Sequence, residues 1–225
     1  MNGILLVDKP KGWTSFDVVA KVRGMIKRET GVKLKVGHTG TLDPLATGLL
    51  VLLLGSYTKK APDLSKLDKT YEVTMKLGET STTGDEEGNK THLSNKQPPE
   101  SDIKNAIAFF IHTEYMQVPH AFSAIKVGGQ RAYKLARAGK EVKLEPRKVK
   151  VYSAQLTAYS YPEVKFTTEV SSGTYIRSLV EDIGNALGTG AYMTDLHRTQ
   201  VGQFKVKDSQ SVAGVGTANI LTTML

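Results

Sequence analysis

The sequence predicts an α+β fold: a mixed, mainly antiparallel sheet with flanking helices and a basic inserted lobe. Three observations carry that reading. Segments such as TYEVTMKLG (residues 70–78) alternate with period two, whereas SFDVVAKVRGMI and YIRSLVEDIGNAL place apolar residues at helical spacing. The two kinds of segment follow no regular βαβ rhythm, which a doubly wound sheet or a barrel requires. The chain of 225 residues also shows no internal repeat, and it is long enough to bury a sizeable core.

In order along the chain, GILLV reads as a first strand closed by the turn DKPKGW. Thr14 or Ser15 can cap a helix whose Val18, Val19, Val22, Met25 and Ile26 share one face. After the alternating strand at 70–78, TTGDEEGN (82–89) is a polar, solvated loop. PESDIKNAIAFFI is a capped helix with Ile103, Ile107 and Phe110 inward. KVKVYSAQLTAYSY and EVKFTTEVSS read as strands joined at Tyr161-Pro162. The helix YIRSLVEDIGNALG buries Ile176, Leu179, Val180, Ile183 and Leu187 and stops at Gly188. The residues after Phe204 leave room for a strand and a short helix.

Composition narrows the function classes. Hydrophobic residues at 40% and charged residues at 23% describe an ordinary soluble globular protein. The formal net charge of +8 fits a polyanionic partner such as nucleic acid. With no cysteine there is no disulfide, thiolate nucleophile or cysteine-based zinc site. His38, His92, His112, His120 and His197 have no paired metal-ligand spacing, so no metal is expected. The chain lacks a GxxxxGK[ST] phosphate loop, a GxSxG elbow and an EF-hand ligand pattern. The short apolar run before Asp8 and Lys9 is no signal peptide, and Leu49–Leu54 falls far short of the roughly 20 residues of a membrane helix. A cytoplasmic, membrane-free protein is the expectation.

One stretch raises a chemical question. In VGHTGTLDPLATGLLVLLLG (36–55) a single acid, Asp43, stands among Gly37, Gly40 and Gly48 just before a wholly apolar run. A carboxylate beside a buried segment is costly to desolvate unless it is compensated. Either a solvated turn relieves it or a cleft holds it for a purpose.

A second stretch is distinctive in charge. Residues 126–150 hold Lys126, Arg131, Lys134, Arg137, Lys140, Lys143, Arg147, Lys148 and Lys150 against only Glu141 and Glu145, a surplus of seven. Gly128, Gly129 and Gly139 suggest a flexible lobe with one short helix, and Tyr133 is interleaved with the cations. This pattern suits an RNA or DNA backbone better than a merely solvated face.

Six motifs in order, LLVDKPKGWTS, GHTGTLDPLATGLL, DKTYEV, QVPHAFSAIKVGGQRAYKLAR, GTYIRSLVEDIG and LHRTQVGQF, resemble the TruB family of pseudouridine synthases from about residue 3 to 205. The resemblance implies the pseudouridine synthase fold, with a catalytic domain at 1–207 that includes an RNA-clamping lobe at about 117–150. It leaves 208–225 as a short tail with no PUA-type domain. It also implies isomerisation of uridine to pseudouridine in the T stem-loop of tRNA, at position 55. No cofactor is involved, and a monomer is expected. Asp43 is then the nucleophile; a carboxylate can add covalently to a sugar or base carbon and later leave. Tyr71 stacks on the base near the C5 proton, and Arg177 pairs with Asp43 and offsets its desolvation. Tyr175 and Leu196 wall the pocket, His38 fills space opened when bases flip out, and Lys126, Arg131 and Lys134 hold the RNA backbone. Lys9 and Lys69 either support the site or are surface lysines.

The chain departs from the family pattern at Val170–Gly173, at His120 and Phe122 where proline and tyrosine are common, and at His197 where arginine is common. Two other classes are open to the sequence. A non-catalytic tRNA-binding or RNA-folding module would keep the basic lobe but need neither Asp43 nor Arg177. A glycosidic-bond hydrolase would need a second acid, which no sequence neighbour of Asp43 supplies.

Overall fold

The computed structural model describes residues 1–111, 114–123 and 125–222, so His112 and the last three residues of the tail lie outside the described residues. In chain order the first half contains β1 (Gly3–Lys9), α1 (Ser15–Thr30), β2 (Val36–His38), β3 (Thr47–Leu54), α2 (Ala61–Leu64), β4 (Lys69–Leu77), β5 (Glu79–Ser81), β6 (Lys90–His92) and α3 (Glu100–Ala108). Then follow β7 (Glu114–Gln117), β8 (Lys126–Val127), β9 (Gln130–Arg131), α4 (Ala132–Arg137), β10 (Arg147–Ser160), β11 (Glu163–Val170), α5 (Ile176–Leu187), β12 (Ala191–Val201), β13 (Phe204–Lys205) and β14 (Gln210–Ser211). Two compact units divide the chain: Met1–Tyr71 with His197–Leu225, and Glu72–Leu196.

In the first unit β1 and β3 pair antiparallel along their whole length, from Gly3 opposite Leu54 to Lys9 opposite Gly48. The other edge of β3 takes β2 antiparallel at its end and β12 parallel at its start, with Arg198 opposite Gly48. β14 adds to β1 in parallel. Both faces of this sheet are covered, which is why Leu49–Leu54 is apolar at every position instead of alternating. Leu50, Leu52 and Leu54 join Val18, Val22 and Ile26 of α1, while Leu49, Val51 and Leu53 pack with Leu64, Val201 and Phe204. Helix α1 starts as its sequence directs: the Thr14 side chain accepts the Asp17 N–H at 3.1 Å and Asp17 accepts the Thr14 N–H at 2.8 Å, a complete capping box. The turn DKPKGW begins two residues later than its sequence suggests, because Asp8 and Lys9 still belong to β1.

In the second unit the strand order is β12-β4-β11-β10-β7, with antiparallel β10–β11 and β10–β7 pairs. β4 buries Val73, Met75 and Leu77 and turns the intervening residues outward, as its alternation requires. Helix α3 packs on β10 and α5. Its inward residues are Ile103, Ala106 and Ile107; Phe110 is buried too but lies beyond the helix end at Ala108, and no side chain caps the start, since Pro99 occupies the cap position. The five predicted stripe residues of α5 are buried, and Gly188 ends the helix in the left-handed conformation.

Candidate active site

Asp43 lies in the loop joining β2 to β3, half-buried and held by its surroundings. The hydroxyl of Ser15, at the start of α1, donates to the Leu42 carbonyl at 3.1 Å and accepts the Leu42 N–H at 2.8 Å. On the other side of Asp43, the Pro44 carbonyl accepts from the Gly12 N–H at 2.8 Å and from Lys9 Nζ at 3.4 Å. Lys9 is wholly buried, and its ammonium also donates to the carbonyls of Pro10 and Trp13 at 2.9 and 2.7 Å. Its donors thus bind the DKPKGW turn to the Asp43 loop.

A second cation spans the loop from outside. Arg198, on β12 and 1% exposed, donates through Nε to the Leu49 carbonyl at 2.8 Å and through Nη2 to the Gly40 carbonyl at 3.1 Å. The two ends of the Asp43 loop are therefore fixed to one guanidinium. Gly48 is required where this happens: its φ is +96°, and a Cβ there would run into the Arg198 backbone. Lys69, also buried, donates to the Ser65 carbonyl at 2.7 Å. Burial lowers both lysines to about 8, with Arg198 adding to the depression; the Asp43 carboxylate pulls Lys9 the other way. Buried lysines held this way are not surface residues, and that alternative for Lys9 and Lys69 falls. His38 sits half-buried on β2 opposite Leu52, and Tyr71 is buried on β4.

The second unit holds Arg177, Tyr175, Leu196 and the basic lobe. Tyr175 precedes α5, and its peptide is gripped by the Gln117 side-chain amide, which accepts the Tyr175 N–H at 2.8 Å and donates to its carbonyl at 3.1 Å. Arg177, in the first turn of α5, is 5% exposed. Its Nη1 donates to the Thr83 carbonyl at 2.8 Å, its Nη2 to the Phe122 carbonyl at 2.7 Å, and Asp85 Oδ2 lies 3.4 Å away. The segment TTGDEEGN is thus not wholly solvated. Asp85 turns inward, bridged to Met193, with its Oδ1 accepting from the Thr83 hydroxyl and the Glu87 N–H. Leu196 is buried on β12.

In the lobe, Lys126 and Arg131 face each other across the β8–β9 hairpin, whose turn is Gly128-Gly129 with φ of +56° and +83°. The single short helix α4 follows, carrying Lys134 and Arg137, and Arg137 lies over the Tyr133 ring at 5.8 Å. Lys126, Arg131 and Lys134 are exposed.

Arg198, Asp85 and Glu181 escape a reading of the sequence. Arg198 stands in the motif LHRTQVGQF, and a buried arginine announces itself only by its partners, Gly40 and Leu49, some 150 residues away. Among the described residues no three His, Asp or Glu side chains converge as metal ligands, and no helix is long and apolar enough to cross a membrane.

A mixed, mostly antiparallel sheet with a few helices is the fold class of the pseudouridine synthases. The chain resembles the protein of a Cbf5-Nop10-Gar1 complex with a TM-score of 0.72 and 31% identity, covering 94% of this chain and 52% of that one. An H/ACA ribonucleoprotein bound to a substrate RNA containing 2′-deoxyuridine matches with a TM-score of 0.69 and 29% identity, over 94% of this chain and 51% of that one. The chain therefore spans about half the length of these solved chains. The model of the TruB family pseudouridylate synthase N-terminal domain matches residues 27–176, and that of the tRNA pseudouridylate synthase B C-terminal domain matches residues 177–220. A tRNA pseudouridine synthase B of Clostridium kluyveri is 43% identical over 98% of this chain and 74% of its own length. That of Chlorobaculum tepidum is 43% identical over 94% of this chain and 88% of its own. The chain belongs to the TruB family of pseudouridine synthases, which are isomerases.

Proposed function

We propose that this chain converts uridine to pseudouridine in the T loop of tRNA, at position 55, with Asp43 as the nucleophile. One observation carries the reading: the loop bearing Asp43 is fixed through its backbone by Ser15, Lys9 and Arg198, which holds the half-buried carboxylate in one defined place. Preorganisation of that kind is what a nucleophile needs and a solvated turn does not. The relatives' names, tRNA pseudouridine synthase B, supply the substrate.

In the proposed reaction the bond from C1′ to N1 of uracil breaks, the base turns, and a bond from C1′ to C5 forms. The C5 proton leaves and N1 acquires one, so the reaction is an isomerisation that consumes nothing. Asp43 adds covalently to the flipped-out nucleotide and is released at the end. Tyr71 stacks on the base beside the C5 proton, and Arg177 is the cation assigned to Asp43. Tyr175 and Leu196 wall the base pocket, and His38 fills the space left in the T loop. The basic lobe holds the backbone through Lys126, Arg131 and Lys134. No metal or cofactor enters. The protein acts as a cytoplasmic monomer on the T stem-loop.

The direct test is incubation of the purified protein with a tRNA transcript and no additives, followed by mapping of pseudouridine. Modification confined to the T loop is the expected result. A product elsewhere in the transcript would overturn the site assignment, and no product at all would overturn the activity.

A further inference from the structure

The Arg177 guanidinium is anchored to a carbonyl whose own peptide is held by an unexpected pair. The Phe122 N–H donates to His120 Nδ1 at 3.3 Å, while the Phe122 carbonyl accepts Arg177 Nη2 at 2.7 Å. The two rings of His120 and Phe122 lie 5.9 Å apart, tilted by 36°. On its far side His120 Nε2 approaches Glu181 Oε1 at 3.6 Å. Glu181 is four residues after Arg177 on α5, hence on the same face one turn along. Arg177, Phe122, His120 and Glu181 thus close a ring. Gly84 leaves room for it: its φ is +69°, and a Cβ there would stand 2.8 Å from Glu181 Oε1 and 3.1 Å from His120 Cδ2.

We infer that His120 and Glu181 are positioning residues for the Arg177 guanidinium, acting through the Phe122 peptide and through the charge on Glu181; the catalytic weight of that role rests on the assignment of Arg177 proposed above. His120 holds the carbonyl that Arg177 grips, and the Glu181 carboxylate lies beside its Nε2 at 3.6 Å, near enough to act through its charge. Because Nδ1 accepts from Phe122, the neutral ring carries its hydrogen on Nε2, facing the Glu181 carboxylate.

The proton inventory of the ring fits this arrangement. Burial, helped by Arg177 and opposed by Asp85, lowers His120 to about 4, so the ring is neutral at working pH and Nδ1 is free to accept. Burial raises Glu181 to about 7, with Arg177 opposing and Asp182 and Asp85 reinforcing. The charged and titratable groups facing Glu181 are therefore Arg177 and Asp182 on its own helix, Asp85 from the 82–89 loop and His120 from the segment after β7. Above pH 7 the Glu181 carboxylate adds negative charge beside Arg177 and the His120 Nε2–H; below it that contribution fades.

Two readouts test the inference, one of them independent of activity. In the ¹⁵N NMR spectrum of the wild-type protein, the Arg177 side-chain Nε–H resonance should shift as pH passes through about 7. Glu181→Gln should abolish that shift. In the tRNA assay, His120→Ala and Glu181→Gln should each lower kcat by roughly 10-fold while KM changes less than about two-fold, since misplacement of a catalytic group is felt in the chemical step. His120→Asn, which keeps an acceptor near the Nδ1 position, should recover part of the loss in His120→Ala. The acid limb of the wild-type kcat profile near pH 7 should flatten in Glu181→Gln. An Arg177 resonance indifferent to Glu181→Gln would overturn the inference, whatever the enzyme does. A responsive resonance in a protein that makes no pseudouridine would uphold the ring and overturn only the activity. Should His120→Ala not fold, Glu181→Gln and His120→Asn decide the matter alone.

Discussion

Asp43 and Arg177 are both held through backbone carbonyls, but the division of labour is opposite in the two places. Around Asp43 the buried cations are the scaffold: Lys9 binds the Pro44 carbonyl and Arg198 binds Gly40 and Leu49, so the loop is clamped through its backbone. Around Arg177 the functional candidate is itself the anchored group, tied to Thr83, Phe122 and Asp85. A side chain whose loop is clamped through its backbone should be changed at less structural cost than a buried guanidinium. A buried charge deleted from one side of a pair strands the other.

Asp43→Asn should have the largest effect, and on chemistry alone. The amide keeps the shape and loses the nucleophile, so turnover should fall by roughly 10³-fold or more. Melting temperature and tRNA affinity should stay near those of the wild type, because Ser15, Lys9 and Arg198 hold the loop through its carbonyls and the Leu42 N–H, and the amide keeps the side chain's shape. Rapid-quench turnover beside a binding titration checks both halves. Retained turnover would remove Asp43 from the chemistry. A large drop in stability would show that its side chain, and not the carbonyl clamp, holds the loop.

Arg177→Met should fail on both counts. Asp85, 5% exposed, would be left buried with the Thr83 hydroxyl and the Glu87 N–H but without its cation. Breaking a buried pair in this way costs about 3–5 kcal/mol. A matched Asp85→Asn, Arg177→Met double variant should be more stable than Arg177→Met alone, because it removes the stranded charge. Urea titration of the set reads the coupling, and strict additivity would show that the 3.4 Å approach of Asp85 to Arg177 carries no energy.

What the sequence shows of each region follows from the range of its interactions. The capping box of Thr14 and Asp17, the alternation of β4 and the stripe of α5 are local patterns, and they are legible because each spans a few residues. The roles proposed for Arg177 and Tyr71 come only from motifs in a family resemblance; Asp43 stands out locally as a lone acid before an apolar run, but its proposed role comes from the resemblance too. Asp85 is misread for an instructive reason. In an acid-rich loop the composition describes Glu86 and Glu87, which are exposed, and conceals the one residue bridged inward to Met193. Lys9 and Arg198 are equally opaque, because burial of a cation depends on carbonyls supplied from distant segments. The continuous run in β3 is the complementary case: its lack of alternation records two covered faces.

Arg198→Met probes the Asp43 clamp itself. It leaves the Gly40 and Leu49 carbonyls without this donor, and an unsatisfied buried acceptor costs on the order of 1–3 kcal/mol. Removing a third buried positive charge relieves Lys9 and Lys69, both of which Arg198 depresses, and offsets part of that cost. The net expectation is destabilisation by about 2 kcal/mol with turnover down roughly 10-fold through misplacement of Asp43. Arg198→Lys keeps the charge but not the two-carbonyl reach, so it should recover the lysines' depressed titration and not the turnover. Lysine side-chain NMR against single-turnover rates separates the two.

The smallest expected effect lies in the basic lobe, where neither kind of clamp operates. Its cations are exposed on a short hairpin and a single six-residue helix, and exposed charges act on a polyanion as a field and not as a fixed geometry. An Arg131→Ala, Lys134→Ala double variant should therefore fold normally and keep its kcat at saturating tRNA. Affinity should drop roughly 10-fold at low salt, and the slope of log affinity against log salt should shrink by about one for each phosphate no longer neutralised. The choice of uridine should not change, because phosphate contacts position the RNA and carry no sequence information. A salt series of binding isotherms for wild type and variant measures slope and affinity together. An unchanged slope would place the RNA footprint outside these two residues. A changed modification site would mean that the lobe selects the uridine as well as holding the backbone, which a field of exposed charges cannot do.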